Sequence, residues 1–300
     1  MGLLQGARAR LVLELRLFFT ALQFFTRLPV PAWVGYQPEW MHQSARYYPL
    51  VGAVVGALAS VVLLAASLWW PPLVAVMLSM VASIWVTGAF HEDGWADTCD
   101  ALGGHVSRER ALLIMKDSRI GSYGSVGLIL MLGLKAAVLS ALVGPQLHEL
   151  NQAQLSHVHQ VLLGWTVMAL GWCHVSSRLV PVWLIRLLPY AGDIEHAKAK
   201  PMSTQVSWSG TLVATLVWAL LTLGLIAWIM HVGWPVETLL RALAWGTGAT
   251  VLSLLLCRRW LNTRLGGYTG DTLGASQQLS ELAGLLAWLA VVHPVTWVQW

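Results

Sequence analysis

The stretch His91-Glu92-Asp93-Gly94-Trp95-Ala96-Asp97-Thr98-Cys99-Asp100 concentrates four carboxylates in a chain of which only 11% is charged. On a helix, Asp93, Asp97 and Asp100 stand at i, i+4 and i+7 and project within a narrow arc of one face. Carboxylates that close repel one another, and a divalent cation neutralises them. A merely solvated face would mix in basic residues, yet the nearest Lys or Arg is Arg108. Glu92 lies off that arc by ~100° on a regular helix and reads as a structural residue.

Further along, Lys116-Asp117-Ser118-Arg119-Ile120-Gly121-Ser122-Tyr123-Gly124 sets two cations and a carboxylate before a glycine-containing turn. Such a segment could bind phosphate; on the residues alone, a helix end with snorkelling basic side chains explains it better. Gly266-Gly267-Tyr268-Thr269-Gly270-Asp271-Thr272-Leu273-Gly274 is a glycine-rich loop with Arg258, Arg259 and Arg264 just upstream. Glycines let backbone amides approach an anion, and Gly270 is expected to take a conformation closed to Val. The loop is neither a Walker loop nor a dinucleotide fingerprint.

The elements that must carry these groups are membrane helices. Hydrophobic residues make up 57% of the chain, and the mean hydropathy is +0.63, outside the range of ordinary soluble domains. Apolar runs at 47–70, 73–90, 123–143, 158–177, 211–232, 243–257 and 282–298 predict about seven spans, with Pro71-Pro72 as the tight turn between the first two. The fold class is therefore an all-α polytopic membrane protein, read as one catalytic membrane domain over 1–300. Residues 10–28, with Glu14, Arg16, Arg27, Pro29 and Pro31, fit an N-terminal interfacial helix better than a span or a cleavable leader.

Basic residues segregate to alternate loops: Arg8 to Arg27, Arg108 to Arg119, Arg178 to Lys200, and Arg258 to Arg264. The intervening turns near Pro71, at 144–157 and at 231–236 hold no Lys or Arg. The positive-inside rule puts the basic loops, and the acidic stretch with them, in the cytoplasm. Cys99, Cys173 and Cys257 are scattered, which indicates neither a disulfide framework nor a zinc site. The pI near 9.2 follows from these loops and calls for anionic lipid and phosphorylated substrates, not nucleic acid.

Acidic residues, cations and glycine loops at one membrane face suit phosphoryl transfer. There a divalent metal and Arg or Lys share the phosphate charge, and all-oxygen ligands suit Mg²⁺. The runs FFTRLPVP, HEDGWADTCDALGG, MKDSRIGSYG and LGGYTGDTLGA together resemble the cobalamin synthase family, the adenosylcobinamide-GDP ribazoletransferases, and the resemblance extends over nearly the full chain. It implies a bacterial inner-membrane, Mg²⁺-dependent enzyme with its active site facing the cytoplasm. In that reaction α-ribazole, or its 5′-phosphate, attacks the cobinamide-linked phosphate of adenosylcobinamide-GDP and releases GMP, giving adenosylcobalamin or its phosphate.

The family's patterns fall on His91, Asp93, Gly94, Ala96, Asp97 and Asp100; on Asp117, Ser118, Arg119 and Gly121; and on Gly266, Gly267, Thr269, Gly270 and Asp271. Asp93, Asp97, Asp100 and Asp117 are the expected metal ligands, and any of them could instead take the ribazole hydroxyl proton. Lys116 and Arg119 are candidates for the diphosphate, while Gly267, Thr269, Gly270 and Asp271 are candidates for the second substrate, or Asp271 for another metal. His91 is a candidate for orienting an aspartate or contacting the leaving GMP, although a helix-end hydrogen-bonding role fits it too. The lipid bilayer is the expected surrounding partner, and a homo-oligomer is compatible with the sequence. Alternatives are a secondary transporter, which would need binding groups near mid-span, and an enzyme like the CDP-alcohol phosphotransferases, whose Ala-Arg pair is missing here.

Overall fold

The computed structural model describes residues 2–144, 152–192 and 205–292, with side-chain surroundings for 5–144, 161–192 and 205–292. Its α-helices run in the order α1 (Gly2–Phe25), α2 (Pro38–Ser44), α3 (Tyr48–Ser67), α4 (Pro72–Thr87), α5 (Phe90–Leu102), α6 (Arg108–Met115), α7 (Ser122–Val143), α8 (Gln152–Leu187), α9 (Trp208–Val232), α10 (Val236–Leu265) and α11 (Gly270–Val292). Among the described residues there is no β-strand, only an isolated bridge between Tyr190 and Tyr268. The chain is thus an all-α polytopic membrane protein, as its hydropathy predicts. Lys198, Lys200, residues 145–151 of the 144–157 turn and the end of the 282–298 run lie outside the described residues.

Five segments are long and apolar enough to cross a membrane: Pro38–Ser67, Ser122–Val143, Val161–Leu187, Trp208–Val232 and Val236–Leu265. The pair Pro72–Thr87 and Phe90–Leu102 makes a sixth if counted as one broken span, bent by 88°. Pro72 opens α4 at its first turn, where a missing N–H costs nothing, so the expected Pro71-Pro72 turn stands. α1 is not among the spanning helices. It is pinned through Glu14, which pairs with Arg46 at 3.2 Å and accepts the Tyr47 hydroxyl at 2.7 Å.

Burial sorts the helices. The apolar window of α8 is 89% buried, against 11% for α9 and 22% for α10, so α8 is the bundle's centre and α9 and α10 turn their leucines outward. In lipid no hydrophobic force presses helices together, and close approach of small residues substitutes for it. A methyl on Gly56 of α3 would sit 3.0 Å from the Gly171 Cα of α8.

α11 departs from expectation. The apolar run starts at 282 because Gln277, Gln278 and Glu281 interrupt it, yet the helix begins at Gly270 and buries all three. It packs against α5, α7, α8 and α10, and its polar residues face the bundle interior.

The bend between α4 and α5 has a local cause. Gly88 and Ala89 both adopt left-handed conformations, at φ 65° and φ 59°. A non-glycine residue there costs ~1–2 kcal/mol, so Ala89 is held by its surroundings. One restraint is the Arg27 amide, which donates to the Val86 carbonyl at 2.8 Å. The bend turns α5 against α11 and α7 and carries the acidic stretch with it.

Candidate active site

The acidic stretch is helical, the condition on which its three aspartates share a face, and lies wedged between α11 and α7. On the α11 side a methyl at Gly94 would stand 2.7 Å from the Asp271 carbonyl oxygen and 3.1 Å from its Cα. Gly94 is one residue from Asp93 and three from Asp97, so the glycine loop and the acidic helix meet at one place although far apart in sequence. On the α7 side a methyl at Gly121 would lie 2.5 Å from Asp100 Oδ1, and one at Gly127 would lie 2.6 Å from Cys99 Sγ. Gly121, Gly124 and Gly127 recur at i, i+3 and i+6 and form the groove that admits α5. The glycines after Arg119 therefore serve packing.

Asp93 is exposed, and Asp97 and Asp100 are half-buried. The Asp100 carboxylate is engaged from across the groove: the Gly121 amide donates to Oδ2 and the Gly124 amide to Oδ1, each at 2.7 Å. These are first-turn donors of α7, where a carboxylate satisfies orphan N–H groups and complements the helix dipole. Two charge-assisted bonds make Asp100 an interhelical cap, and Gly121 is bound for that reason as well.

Two arginines tie the ends together. Arg264, at the end of α10, donates to the Leu102 carbonyl at 3.3 Å and the Gly104 carbonyl at 2.9 Å. Arg108, at the start of α6, donates to the Leu265 carbonyl at 2.6 Å. Each cation thus meets carbonyls at or just beyond another helix's C-terminus, where the dipole favours positive charge.

Between α6 and α7, Asp117 and Arg119 form an exposed local pair. Arg119 Nη2 lies 2.6 Å from Asp117 Oδ2, and the Arg119 amide donates to Oδ1 at 3.1 Å. The Asp117 hydrogen bond and charge raise the Arg119 pKa further, so the guanidinium stays a fixed cation. Lys116 is the residue that caps α6 and is half-buried.

The α10–α11 loop is organised by Gly266, at φ 67°, which ends α10. Gly267 runs against the chain after α8: the Tyr268 amide donates to the Pro189 carbonyl at 3.0 Å and the Ala191 amide to the Tyr268 carbonyl at 2.8 Å. Thr269 and Thr272 cap α11 reciprocally, with bonds from the Thr269 amide at 2.8 Å and the Thr272 amide at 3.3 Å. Gly270 differs from expectation. Its φ is not positive and a methyl there meets nothing within 4 Å, so its backbone is open to other residues; the conformation that requires glycine is at Gly266. Asp271 is half-buried in the first turn of α11.

His91 is turned into the core. It is 4% exposed and stacks on Phe25 at 5.6 Å and 11°, away from Asp93. Among the described residues no group of three or more His, Cys, Asp or Glu is gathered to hold a metal ion. The expected set of Asp93, Asp97, Asp100 and Asp117 is therefore not a ready-made cage, because Asp100 faces the α7 amides and Asp117 faces Arg119. Mg²⁺ is usually held by one or two carboxylates together with waters and substrate phosphates. Asp93 and Asp97, one turn apart beside Asp271, fit that all-oxygen mode.

Sequence reasoning missed a second polar cluster inside the bundle. Lys135 of α7 pairs with Glu281 at 2.9 Å and donates to Gln278 Oε1 at 2.9 Å. His174 Nδ1 lies 3.2 Å from Glu281 and 3.1 Å from Arg178 Nη1. Gln278 reaches Glu92 of the acidic helix at 3.0 Å. A signal was present: Lys135 is the single charge in the run 123–143, and Gln277 and Glu281 recur at i and i+4.

Comparison with known proteins identifies the family. The sequence model of Cobalamin-5-phosphate synthase matches residues 17–289. An "Adenosylcobinamide-GDP ribazoletransferase" of Leptothrix cholodnii is 55% identical over 295 residues, covering 95% of this chain and 98% of the relative. Proteins of the same name from Polaromonas naphthalenivorans and Vibrio cholerae are 39% and 40% identical, over 90% and 93% of this chain and 95% of each relative. No solved structure matches it. With its motifs in order and matched over nearly its whole length, the chain belongs to the Cobalamin-5-phosphate synthase family.

Proposed function

We propose that the chain joins adenosylcobinamide-GDP to α-ribazole, or to α-ribazole 5′-phosphate, in a Mg²⁺-dependent transfer that yields adenosylcobalamin or its phosphate and GMP. The observation that carries this reading is the junction of α5 and α11, where the Asp271 backbone lies against Gly94 between Asp93 and Asp97. A ribazole hydroxyl attacks the cobinamide-linked phosphorus, the diphosphate P–O bond breaks, and GMP leaves with its electron pair. An aspartate of α5 takes the hydroxyl proton. Asp93 and Asp97 would hold Mg²⁺, which would supply charge neutralisation at the phosphate oxygens. Arg119 and Lys116 take up the remaining negative charge, and the Thr269–Asp271 turn borders the second substrate.

Arg108, Arg110, Lys116 and Arg119 follow the acidic stretch in sequence, and Arg258, Arg259 and Arg264 precede the glycine loop. By the positive-inside rule the site faces the cytoplasm of a bacterial inner-membrane protein. The competing transporter reading has the buried Lys135–Glu281 pair in its favour, but those charges satisfy each other. Purified protein in nanodiscs, given adenosylcobinamide-GDP and α-ribazole, is expected to release GMP only when both substrates and Mg²⁺ are present. No release under those conditions overturns the reading, since an enzyme needs no closed compartment and a transporter does.

A further inference from the structure

We propose that Glu92 is a positioning residue that ties the acidic helix, through Gln278, to the buried Lys135–Glu281–His174 cluster. It thereby sets where Asp93 and Asp97 stand relative to Asp271. The inference rests on the transfer reading above.

Glu92 is 9% exposed whereas the adjacent Asp93 is exposed, so two neighbouring carboxylates of α5 face opposite surroundings. Glu92 Oε1 accepts from Gln278 Nε2 at 3.0 Å. The same nitrogen donates to Gln277 Oε1 at 3.0 Å, and Gln278 Oε1 accepts from Lys135 at 2.9 Å. This amide has one workable orientation. Flipped, it would aim its NH₂ at an ammonium and its oxygen at a carboxylate. Gln277 extends the chain to Glu281 Oε2 at 2.5 Å and to Ser177 Oγ at 3.0 Å. The tie therefore joins α5 to α7, α8 and α11 through groups that are all buried.

Apolar packing between membrane helices leaves axial register weakly specified. A one-turn slip moves a helix by ~5.4 Å, enough to part Asp271 from Gly94. Such a slip of α11 would also strip Glu281 of Lys135 and His174, and Gln278 of both its charged neighbours. A buried charge deprived of its partner is strongly unfavourable. The cluster thus locks α11, and Glu92 transmits that register to α5.

The test compares wild type with Glu92→Gln, Glu92→Leu, Gln278→Leu and the Glu92→Leu/Gln278→Leu double variant in nanodiscs. It measures GMP release and, with spin labels at exposed Phe90 and Leu286, the α5–α11 spacing. Glu92→Gln keeps an acceptor for Gln278 and should hold kcat within about threefold with the spacing unchanged. Glu92→Leu and Gln278→Leu should each lower kcat by roughly tenfold or more and shift or broaden the spacing. The double variant should be no worse than either single one. Equal loss in Glu92→Gln and Glu92→Leu at unchanged spacing overturns the proposal and places Glu92 in the chemistry. Unaltered turnover in Glu92→Leu, or losses that multiply in the double variant, also overturns it. Absence of GMP release from wild type defeats the transfer reading instead, and the spacing measurement still decides whether the tie exists.

Discussion

The open end of the bundle and its interior use the same residue types to opposite purpose. At the end, Asp93 is exposed and the Asp117–Arg119 pair stands at the surface. Inside, Lys135, Glu281, His174 and Arg178 are each under a tenth exposed and bound to one another. An exposed pair such as Asp117–Arg119 contributes little to stability. A buried pair is the reverse: broken, it leaves an uncompensated charge. Charge within holds helices together, as do Asp100, Arg108 and Arg264 nearer the end, whereas Asp93 and the Asp117–Arg119 pair stand at the surface.

The comparison breaks most readily at Glu281. Replacing it with Leu leaves Lys135 buried without its carboxylate, which should cost about 3–5 kcal/mol, seen as loss of folded protein after extraction. Lys135→Met combined with Glu281→Leu should recover much of that loss. If the single and double variants melt alike, the interior pair is not what holds α7 to α11.

Arg264→Ala removes the bonds to the Leu102 and Gly104 carbonyls and should cost about 1–3 kcal/mol, read as a lower unfolding midpoint. Turnover should fall too, because the α10–α11 loop loses its tie to α5. An intact midpoint would show the arginine cap to be ornamental.

At the open end the expected signature is kinetic. Arg119→Ala should raise the KM for adenosylcobinamide-GDP by on the order of tenfold while leaving the melting temperature unchanged. A fall in melting temperature with no change in KM would move Arg119 to the structural side of the comparison.

The smallest effect is expected at Gly270. An added methyl there meets nothing within 4 Å, so Gly270→Ala should melt like wild type, whereas Gly266→Ala at φ 67° should cost about 1 kcal/mol. Any loss of transfer in Gly270→Ala would then report a substrate pressed against that backbone.

What was legible in the sequence was local. The i, i+4, i+7 aspartates share an arc once their segment is helical, Pro71-Pro72 defines a turn by stereochemistry, and the long apolar runs define spans by length. What was not legible depended on partners brought by the fold. Asp100 reads like its neighbours until the Gly121 and Gly124 amides arrive from α7. Gly270 reads like Gly266 until backbone angles separate them. Gln277, Gln278 and Glu281 read as the polar edge of a span because their complements, Lys135, His174 and Glu92, lie on other helices. Spacing along one helix cannot disclose a charge supplied by another.

The central claim, that Asp97 serves the reaction while Glu281 serves the fold, is tested most directly by one paired measurement on purified Asp97→Asn and Glu281→Gln proteins. For each, Mg²⁺-dependent GMP release and the unfolding midpoint are determined on the same preparation. Asp97→Asn should keep the wild-type midpoint and lose turnover on the order of 100-fold or more. Glu281→Gln should lose midpoint first, with any folded fraction still releasing GMP. Near-normal turnover in Asp97→Asn at limiting Mg²⁺, or an unchanged midpoint in Glu281→Gln together with abolished turnover, would contradict the account.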